Sequence, residues 1–326
     1  MMKLLFAALL LMPAIALGQA ISDVTLMIDL EKSTWYVLDP AESAKWATAS
    51  APTPVPSTFV FTPMTHLLLA DVVAINDKPA KGTFVAWGIW TSFSPTVTAS
   101  PGRPIADISR SQMWNMLFEV HDVEKGQVGT LAAMGFASGP PPPGTAPGSR
   151  AGNFIITGGS GAWAGARGQA ASIAVAGTRT ASGVENPAYR RVNSVAGTWR
   201  IAATLNSMTL PTVVAAYHSD FTPVSASNPA RAGEALVLAV KGLGPTNPVL
   251  LPGKTFDEKE LAVVTAPVAV TINDLPAAVS NQVGWPGTGD TYRLDVTLPG
   301  GIAAGTASVS VTAAWIPGPE FKIPVR

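Results

Sequence analysis

Residues 153–168 read NFIITGGSGAWAGARG. This stretch begins with an apolar run, turns through Gly158, Gly159 and Gly161, and continues after Arg167 into a second apolar run. Glycine tolerates the left-handed backbone of tight turns, and β-branched and aromatic residues favour strands. The stretch therefore predicts a β-hairpin.

The same pattern of short apolar runs interrupted by Gly, Pro, Asn or Asp extends in both directions, and it is typical of an all-β protein. Before residue 207 the predicted strands are 24–30, 35–38, 59–62, 67–75, 83–90, 105–120, 127–136, 153–157, 168–175 and 197–205. After residue 218 they are 235–241, 268–272, 277–280, 292–298, 308–312 and 321–325. We predict hairpin turns at Asn76-Asp77 and Asn273-Asp274, since both residue types favour turns.

The composition of the chain excludes several classes of function. Its 326 residues include 21 Lys and Arg, 21 Asp and Glu, three His and no Cys. A net charge of zero argues against binding of nucleic acid, which needs a basic face to neutralise phosphates. Without cysteine, disulfide scaffolds, zinc ribbons and thiol chemistry are excluded.

The N-terminus has the features of a secretory signal, which we assign to residues 1–20. Lys3 is followed by an apolar run from residue 4 to residue 17 and then by the small residues Gly18 and Ala20. The alternative is a membrane anchor, but the run is shorter than the roughly 20 residues of a spanning helix. We expect a mature protein without a membrane span, secreted or located in the periplasm or at the cell surface.

Residues 153–168 resemble the signature hairpin of dirigent proteins and allene-oxide-cyclase-like barrels. In those families a Gly-Gly-Thr-Gly turn, an aromatic residue and an Ala-Arg-Gly sequence lead into the next strand. Here Ser160 stands at the Thr position and Trp163 at the usual Phe position. The resemblance implies an eight-stranded antiparallel barrel, which we assign to residues 55–207 after an N-terminal extension over residues 21–54.

The C-terminal third resembles an immunoglobulin-like module of the IPT/TIG kind, which recurs in bacterial exported proteins. The matching segments are PARAGE at 229–234, GLGPT at 242–246 and LPGGIAAGT at 298–306. The resemblance and the size of this region predict an immunoglobulin-like β-sandwich over residues 218–326.

Charged and aromatic residues on the predicted barrel strands are the candidates for a site. In dirigent-like barrels, inward acids and arginines orient or protonate a reactive intermediate. By that resemblance Arg167 is a candidate catalytic residue, and Asp107 and Glu119 are candidate acids because of their strand positions. The candidate ligand-binding residues are Trp87, Trp114, Phe118, Arg110 and Arg200. A register shift of one residue would turn each side chain to the other face, so structural ion pairs and core packing are the alternative roles.

Other chemistries fit the sequence less well. The glycine run lacks the following helix that a dinucleotide fingerprint or a nucleophile elbow at Ser160 would need. His66, His121 and His218 are not at ligand spacing, and His121-Asp122 reads as a hairpin tip, so we expect neither a metal nor a cofactor.

Three functions remain open at this level. In the first, the barrel binds a small apolar or phenolic molecule and the second domain serves as a docking or spacer unit. In the second, the barrel directs cyclisation or coupling of such a molecule. In the third, the barrel is filled, and the protein binds a cell-surface or matrix protein. A homo-oligomer is open in each case, since barrels of this kind often pair or form trimers.

Overall fold

In a computed structural model of the chain, the structure describes residues 23–38, 65–90, 112–137, 152–176, 179–182, 186, 188–192 and 197–326. These residues form an all-β protein with a closed eight-stranded antiparallel barrel and a second, curled antiparallel sheet. The predicted fold class is therefore confirmed. Within the described part of the chain, the one helical segment is a single turn at Tyr189–Val192.

The barrel is built from strands that mostly follow one another along the chain. They are β1 (Val24–Leu38), β2 (Thr65–Ile75), β3 (Lys78–Trp90), β4 (Gln112–Asp122), β5 (Gly126–Ala137), β6 (Gly152–Gly161), β7 (Arg167–Ala176), β8 (Arg179–Ser182) and β9 (Thr198–Ser207). The sheet runs β2-β3-β4-β5-β6-β7-β9-β1, and the pairing of β1 with β2 closes it. Strand β8 lies outside this ring and pairs in parallel with the end of β1.

Short hairpins join β2 to β3, β4 to β5 and β6 to β7, all at one end of the barrel. The predicted turn at Asn76-Asp77 is confirmed, with positive φ angles of 51° and 58°. Asn and Asp tolerate this conformation, which matches the twist of two-residue hairpins. Residues 39–64, 91–111 and 138–151 lie between strands in the chain and outside the described residues. The predicted strand 59–62 and the first part of the predicted strand 105–120 fall within these ranges.

Strand β1 corrects the predicted N-terminal extension. We placed residues 21–54 outside the barrel, but residues 24–38 pair with both β2 and β9 and complete the ring. The two predicted strands 24–30 and 35–38 are one strand with a register irregularity between Glu31 and Thr34, where Lys32 has a φ of 53°. This local break separates the two apolar runs in the sequence without ending the strand.

The second domain is a single curled antiparallel sheet. Its strands are β10 (Thr212–His218), β11 (Ala235–Lys241), β12 (Thr246–Asn247), β13 (Val263–Val264), β14 (Val268–Ile272), β15 (Leu275–Gly284), β16 (Thr291–Thr297), β17 (Gly305–Ala313), β18 (Ile316–Pro317) and β19 (Phe321–Val325). The predicted hairpin turn at Asn273-Asp274 joins β14 to β15. The side chains of β16 alternate between the core and the outer face, since Leu294 and Val296 are buried and Asp295 is not.

The two domains share one continuous apolar cluster at the hairpin end of the barrel. Trp163, in the turn between β6 and β7, is fully buried, and its ring centroid lies 6.3 Å from that of Trp315. The indole Nε1–H of Trp163 donates to the carbonyl oxygen of Ala314 over 3.4 Å. Thr265 Oγ1 donates to the carbonyl oxygen of Gln127 at 2.6 Å. The signature hairpin therefore also anchors the second domain.

Candidate functional site

The inside of the barrel is packed in layers of large and small residues. Trp114 lies between Gly88 and Gly135 on the neighbouring strands, and these glycines leave room for its indole. In another layer Phe84 lies beside Phe118, with ring centroids 4.8 Å apart. Alternation of this kind lets the side chains of a small barrel fill its interior.

Little space for a ligand remains among these side chains. Among the described residues, most inward side chains of the eight strands are at most 3% exposed, Trp114 and Phe118 included, while Ala80 is 7% exposed. The Trp199 ring, 6.4 Å from the rings of Phe84 and Trp114, is partly buried. A void large enough for water would leave its lining residues partly exposed to that void. The two predicted ligand-binding aromatics therefore lie in a packed core.

Arg167 points away from the barrel interior and is exposed. Its Nη1 donates to the carbonyl oxygen of Ala166 at 2.9 Å, which is a local contact within the hairpin. Its side chain borders a shallow groove of about 370 Å³ on the outer wall, which Ile155, Gln169 and Asn206 also line. No acidic residue is among the residues that line this groove.

Glu119 and Trp87 also lie on the outer wall. Glu119 contacts the imidazole of His121, with 3.1 Å between Oε1 and Nε2, so the acid pairs within its own strand. Trp87 is 44% exposed and lies in register with Leu67 on one side and Asn115 on the other. Strand β3 carries apolar groups on both faces, since Phe84 is buried inside the barrel and Trp87 is exposed.

Arg200 pairs across strands on the outer wall. Its Nη2 donates to Asp77 Oδ1, and its Nε lies 3.1 Å from Asp29 Oδ1. Asp29, Glu31 and Arg200 line part of a groove of about 410 Å³. Asp107 and Arg110 lie outside the described residues. The predicted residues that the structure describes are therefore divided between the core and separate places on the outer wall.

A group of residues that our sequence reasoning did not select forms an aromatic surface on the second domain. It consists of Tyr217, Phe221 and Trp285 together with Arg293. The Trp285 ring centroid lies 6.0 Å from that of Tyr217 and 6.1 Å from that of Phe221, which meets it edge to face. Arg293 Cζ lies 5.1 Å from the centroid of the Phe221 ring.

Polar side chains border this aromatic surface. Asp295 accepts two hydrogen bonds from Arg293, at 2.7 Å from Nε and at 2.9 Å from Nη2. Asn281 Nδ2 donates to Oδ2 of the same carboxylate at 3.1 Å. The guanidinium, the carboxylate and the amide are thus held in one hydrogen-bonded row beside the rings.

Phe221 lies in a tight loop with a strained backbone. Its φ is 64°, a conformation that is unusual for a bulky side chain. Its N–H donates to the carbonyl oxygen of His218 at 2.9 Å, and Asp220 Oδ1 accepts from the Thr222 N–H at 2.9 Å. The local sequence HSDFT, an aromatic residue among polar turn residues, was the signal that could have indicated an exposed ring.

His218, the first residue of this loop, is a buried ionisable group. Its Nδ1 lies 2.5 Å from Glu234 Oε1, and its Nε2 lies 3.1 Å from the carbonyl oxygen of Asn228. The hydrogen bond with Glu234 raises the pKa of His218, although burial opposes this. Burial also opposes the charge of Glu234, but its hydrogen bonds with His218 and the Arg231 N–H hold its pKa below the usual value.

A cleft of about 350 Å³ lies where the domains meet. Gly161 and Ala164 line it from the barrel, and Gly244, Leu250 and Tyr292 line it from the second domain. The Tyr292 hydroxyl donates to the Gly244 carbonyl oxygen at 2.6 Å, and burial raises the pKa of Tyr292. Its wall is mainly backbone and small side chains, so it offers little specific chemistry.

The described residues contain neither a metal-binding cluster nor a membrane-spanning helix. Among them, no three His, Asp or Glu side chains lie close enough together to hold a metal ion. Over the same ranges, no helix has the length and apolar character needed to cross a membrane.

Comparison with known proteins returned no match: no family model, no curated protein and no solved structure resembles this chain.

Proposed function

We propose that this protein is an interaction scaffold, in which the barrel is a structural unit and partners bind to the outer surfaces. The observation that carries this proposal is the packing of the barrel interior, where most of the described inward side chains are at most 3% exposed. Binding a small molecule there would require the displacement of rings such as Phe84 and Phe118, which pack against each other. Of our three initial hypotheses, the third therefore has the most support.

The contacts of Arg167 and Glu119 also favour this function over an enzyme. General acid–base chemistry needs a proton donor or acceptor within hydrogen-bond reach of one reacting group. Arg167 contacts its own hairpin, and Glu119 pairs with His121. An arrangement of this kind supports a structural role for both side chains.

Small apolar probes test this proposal directly. Phenol, indole and p-xylene would be titrated into the full chain and into Phe118→Ala, Met116→Ala and Arg167→Ala, with binding followed by calorimetry. We expect no saturable binding to the wild type or to Arg167→Ala. We expect binding to at least one of the two core variants, because removal of a buried side chain leaves an apolar cavity. Saturable binding to the wild type that Arg167→Ala weakens would overturn the scaffold proposal in favour of a ligand-binding or catalytic barrel.

We further propose that the barrel is related to the dirigent and allene-oxide-cyclase-like families and that the second domain is an immunoglobulin-like module of the IPT/TIG kind. The closed antiparallel barrel and the hairpin of β6 and β7 support the first relation. The antiparallel strands of the second domain are compatible with the second relation. A crystal structure with a different strand order in either domain would contradict the corresponding assignment.

Export is part of the same proposal, and it rests on the signal-like residues 1–20. N-terminal sequencing of the protein recovered outside the cytoplasm should begin just after Gly18 or Ala20. A chain that keeps Met1 and stays in the cytoplasm would contradict export.

A further inference from the structure

We propose that the aromatic surface of the second domain, formed by Tyr217, Phe221, Trp285 and Arg293, is a binding site for neutral saccharides. This inference rests on the proposed function, since it names the chemistry of a partner for one outer surface of the scaffold.

The first argument is the geometry of the Phe221 ring. One face of the ring lies against the guanidinium of Arg293, yet the residue is 48% exposed. Much of the Phe221 side chain is therefore in contact with solvent, and the Trp285 ring lies 6.1 Å away at an interplanar angle of 70°. An exposed aromatic ring next to a second ring offers an apolar contact on which the C–H face of a sugar ring can stack.

The second argument is the charge around the rings. Arg293 already occupies the position above Phe221 where a cationic ligand would bind. Asp295 compensates its charge through two hydrogen bonds, so the pair of Arg293 and Asp295 carries no net charge. A neutral ligand therefore fits this surface better than a quaternary ammonium or a phosphate.

The third argument is the polar row beside the rings. The guanidinium of Arg293, the carboxylate of Asp295 and the amide of Asn281 are held together by hydrogen bonds. They present fixed donors and acceptors at the border of an apolar surface. Neighbouring hydroxyl groups of a sugar need this combination, because each hydroxyl both donates and accepts a hydrogen bond.

The fourth argument is the backbone of Phe221. A left-handed conformation at a bulky residue costs free energy, and such strain persists where the surrounding structure imposes it. Here hydrogen bonds from the Phe221 N–H to His218 and within the Asp220-Thr222 turn hold the loop. The ring is thus kept exposed and fixed before a ligand arrives, which lowers the entropy lost on binding.

Affinity electrophoresis tests the proposal with defined probes. The full chain would be run in native gels that contain hydroxyethylcellulose, xylan, galactomannan, mixed-linkage β-glucan or dextran. We expect at least one polymer to retard the wild type. Phe221→Ala should raise the dissociation constant at least about tenfold, in line with the loss of an aromatic stacking contact. Phe221→Leu, which keeps apolar volume but removes the aromatic face, should weaken binding similarly.

Matched controls separate this site from general stickiness. Trp87→Ala removes an aromatic side chain of similar exposure from the barrel wall and should leave the retardation unchanged. Asp295→Asn, which alters the polar row, should weaken binding without preventing folding, as judged by circular dichroism. Equal retardation of wild type and Phe221→Ala, an equal effect of Trp87→Ala, or no retardation by any polymer would overturn the proposal. Binding of choline in place of the polymers would also overturn it.

The outcome is distinguishable from that of the barrel experiment. If the barrel held a ligand, probe binding would respond to Arg167→Ala and not to Phe221→Ala. If the saccharide proposal alone fails, wild-type retardation is absent while the barrel still excludes phenol, indole and p-xylene.

Discussion

The imidazole of His218 bridges two hydrogen-bond acceptors, the carboxylate of Glu234 and the backbone carbonyl of Asn228. Its Nδ1 lies 2.5 Å from Glu234 Oε1, and its Nε2 lies 3.1 Å from the Asn228 oxygen. A neutral imidazole has one N–H and can donate to one of these acceptors only. Both contacts are satisfied together by the imidazolium form, so the geometry and the raised pKa of His218 agree.

This arrangement predicts a pH-dependent contribution of His218 to stability. Because its pKa is raised in the folded state, the added stability is fully present below the unfolded-state pKa of about 6.5 and is lost as pH rises through the folded-state pKa. Glu234 has a lowered pKa, so its contribution is lost as pH falls through its own folded-state value. Urea unfolding of the wild type and His218→Gln at a series of pH values measures how the free energy of unfolding falls on the alkaline side and on the acidic side.

We expect His218→Gln to cost about 1–3 kcal/mol near pH 6, because Glu234 loses a charged donor. The cost should shrink at alkaline pH. The matched control is His121→Gln, since His121 pairs with Glu119 on the exposed outer wall. That change should stay within about 0.5 kcal/mol. A cost for His218→Gln that does not vary with pH would argue against the imidazolium.

Two arginines on one carboxylate provide a second prediction. Arg190 Nη2 lies 2.6 Å from Asp71 Oδ1 with its side chain almost fully buried, while Arg191 reaches the same carboxylate from solvent. Arg190→Ala should cost about 2–3 kcal/mol in urea unfolding, because it removes a charged hydrogen bond made by an almost fully buried side chain. Arg191→Ala should cost at most about 1 kcal/mol. Equal costs would show that burial does not set the strength of this pair.

The Asp71 carboxylate should also make the protein less stable in acid. Burial opposes ionisation of Asp71, but hydrogen bonds from Arg190 and Arg191 outweigh it, so the pKa of Asp71 is lowered. Its contribution is present above the unfolded-state pKa of about 3.9 and is lost as pH falls through the folded-state value. In Asp71→Asn, the free energy of unfolding measured in urea should therefore depend less on pH in the acidic range than in the wild type. An equal dependence in the two proteins would contradict this.

A close approach of two strands predicts contrasting effects of two glycine substitutions. Gly165 and Gly168 both have positive φ, at 80° and 152°. A Cβ at Gly165 would meet open space, whereas a Cβ at Gly168 would overlap the backbone oxygen of Thr204 on β9. Gly165→Ala should cost about 1–2 kcal/mol, and Gly168→Ala more than about 4 kcal/mol. Similar urea midpoints for the two variants would contradict this packing.

The contact between the domains predicts coupled unfolding. Trp163→Ala should cost about 3–5 kcal/mol and split or broaden the calorimetric transition, because the indole joins the two parts of the core. Trp163→Phe keeps a ring beside Trp315 and loses only the hydrogen bond to Ala314, so it should cost less. A single sharp transition of unchanged temperature in Trp163→Ala would show that the indole does not couple the domains.

Local features of the fold could be predicted because local residue types specify them. Two Asn-Asp turns, at Asn76 and at Asn273, were predicted correctly, and both adopt positive φ. The structure adds a detail that no local pattern shows. Each Asn side chain accepts a hydrogen bond at 2.8 Å from an adjoining strand, at the N–H of Met27 or of Ser308.

The facing of side chains could not be predicted in the same way. In strand 83–90 both faces are apolar, so the pattern alone does not say that Phe84 points inward and Trp87 outward. Arg167 is part of the motif that resembles the dirigent hairpin, yet its side chain is exposed on the outside of the barrel. Strand β1 was predicted as two strands because register irregularities between Asp29 and Leu30 and between Glu31 and Thr34 interrupt its pattern.

The sequence by itself determined an all-β chain, its hairpin turns and most of its strands, because these depend on neighbouring residues and on glycine, proline and asparagine at particular positions. The tertiary structure adds that the described inward side chains of the barrel pack against one another and that Phe221, Trp285 and Arg293 meet on one surface. These residues lie far apart in the chain and come together through strand pairing, since β10, β11, β16 and β15 lie side by side in that order in one sheet. Contacts of that kind depend on register and curvature, which no short segment encodes.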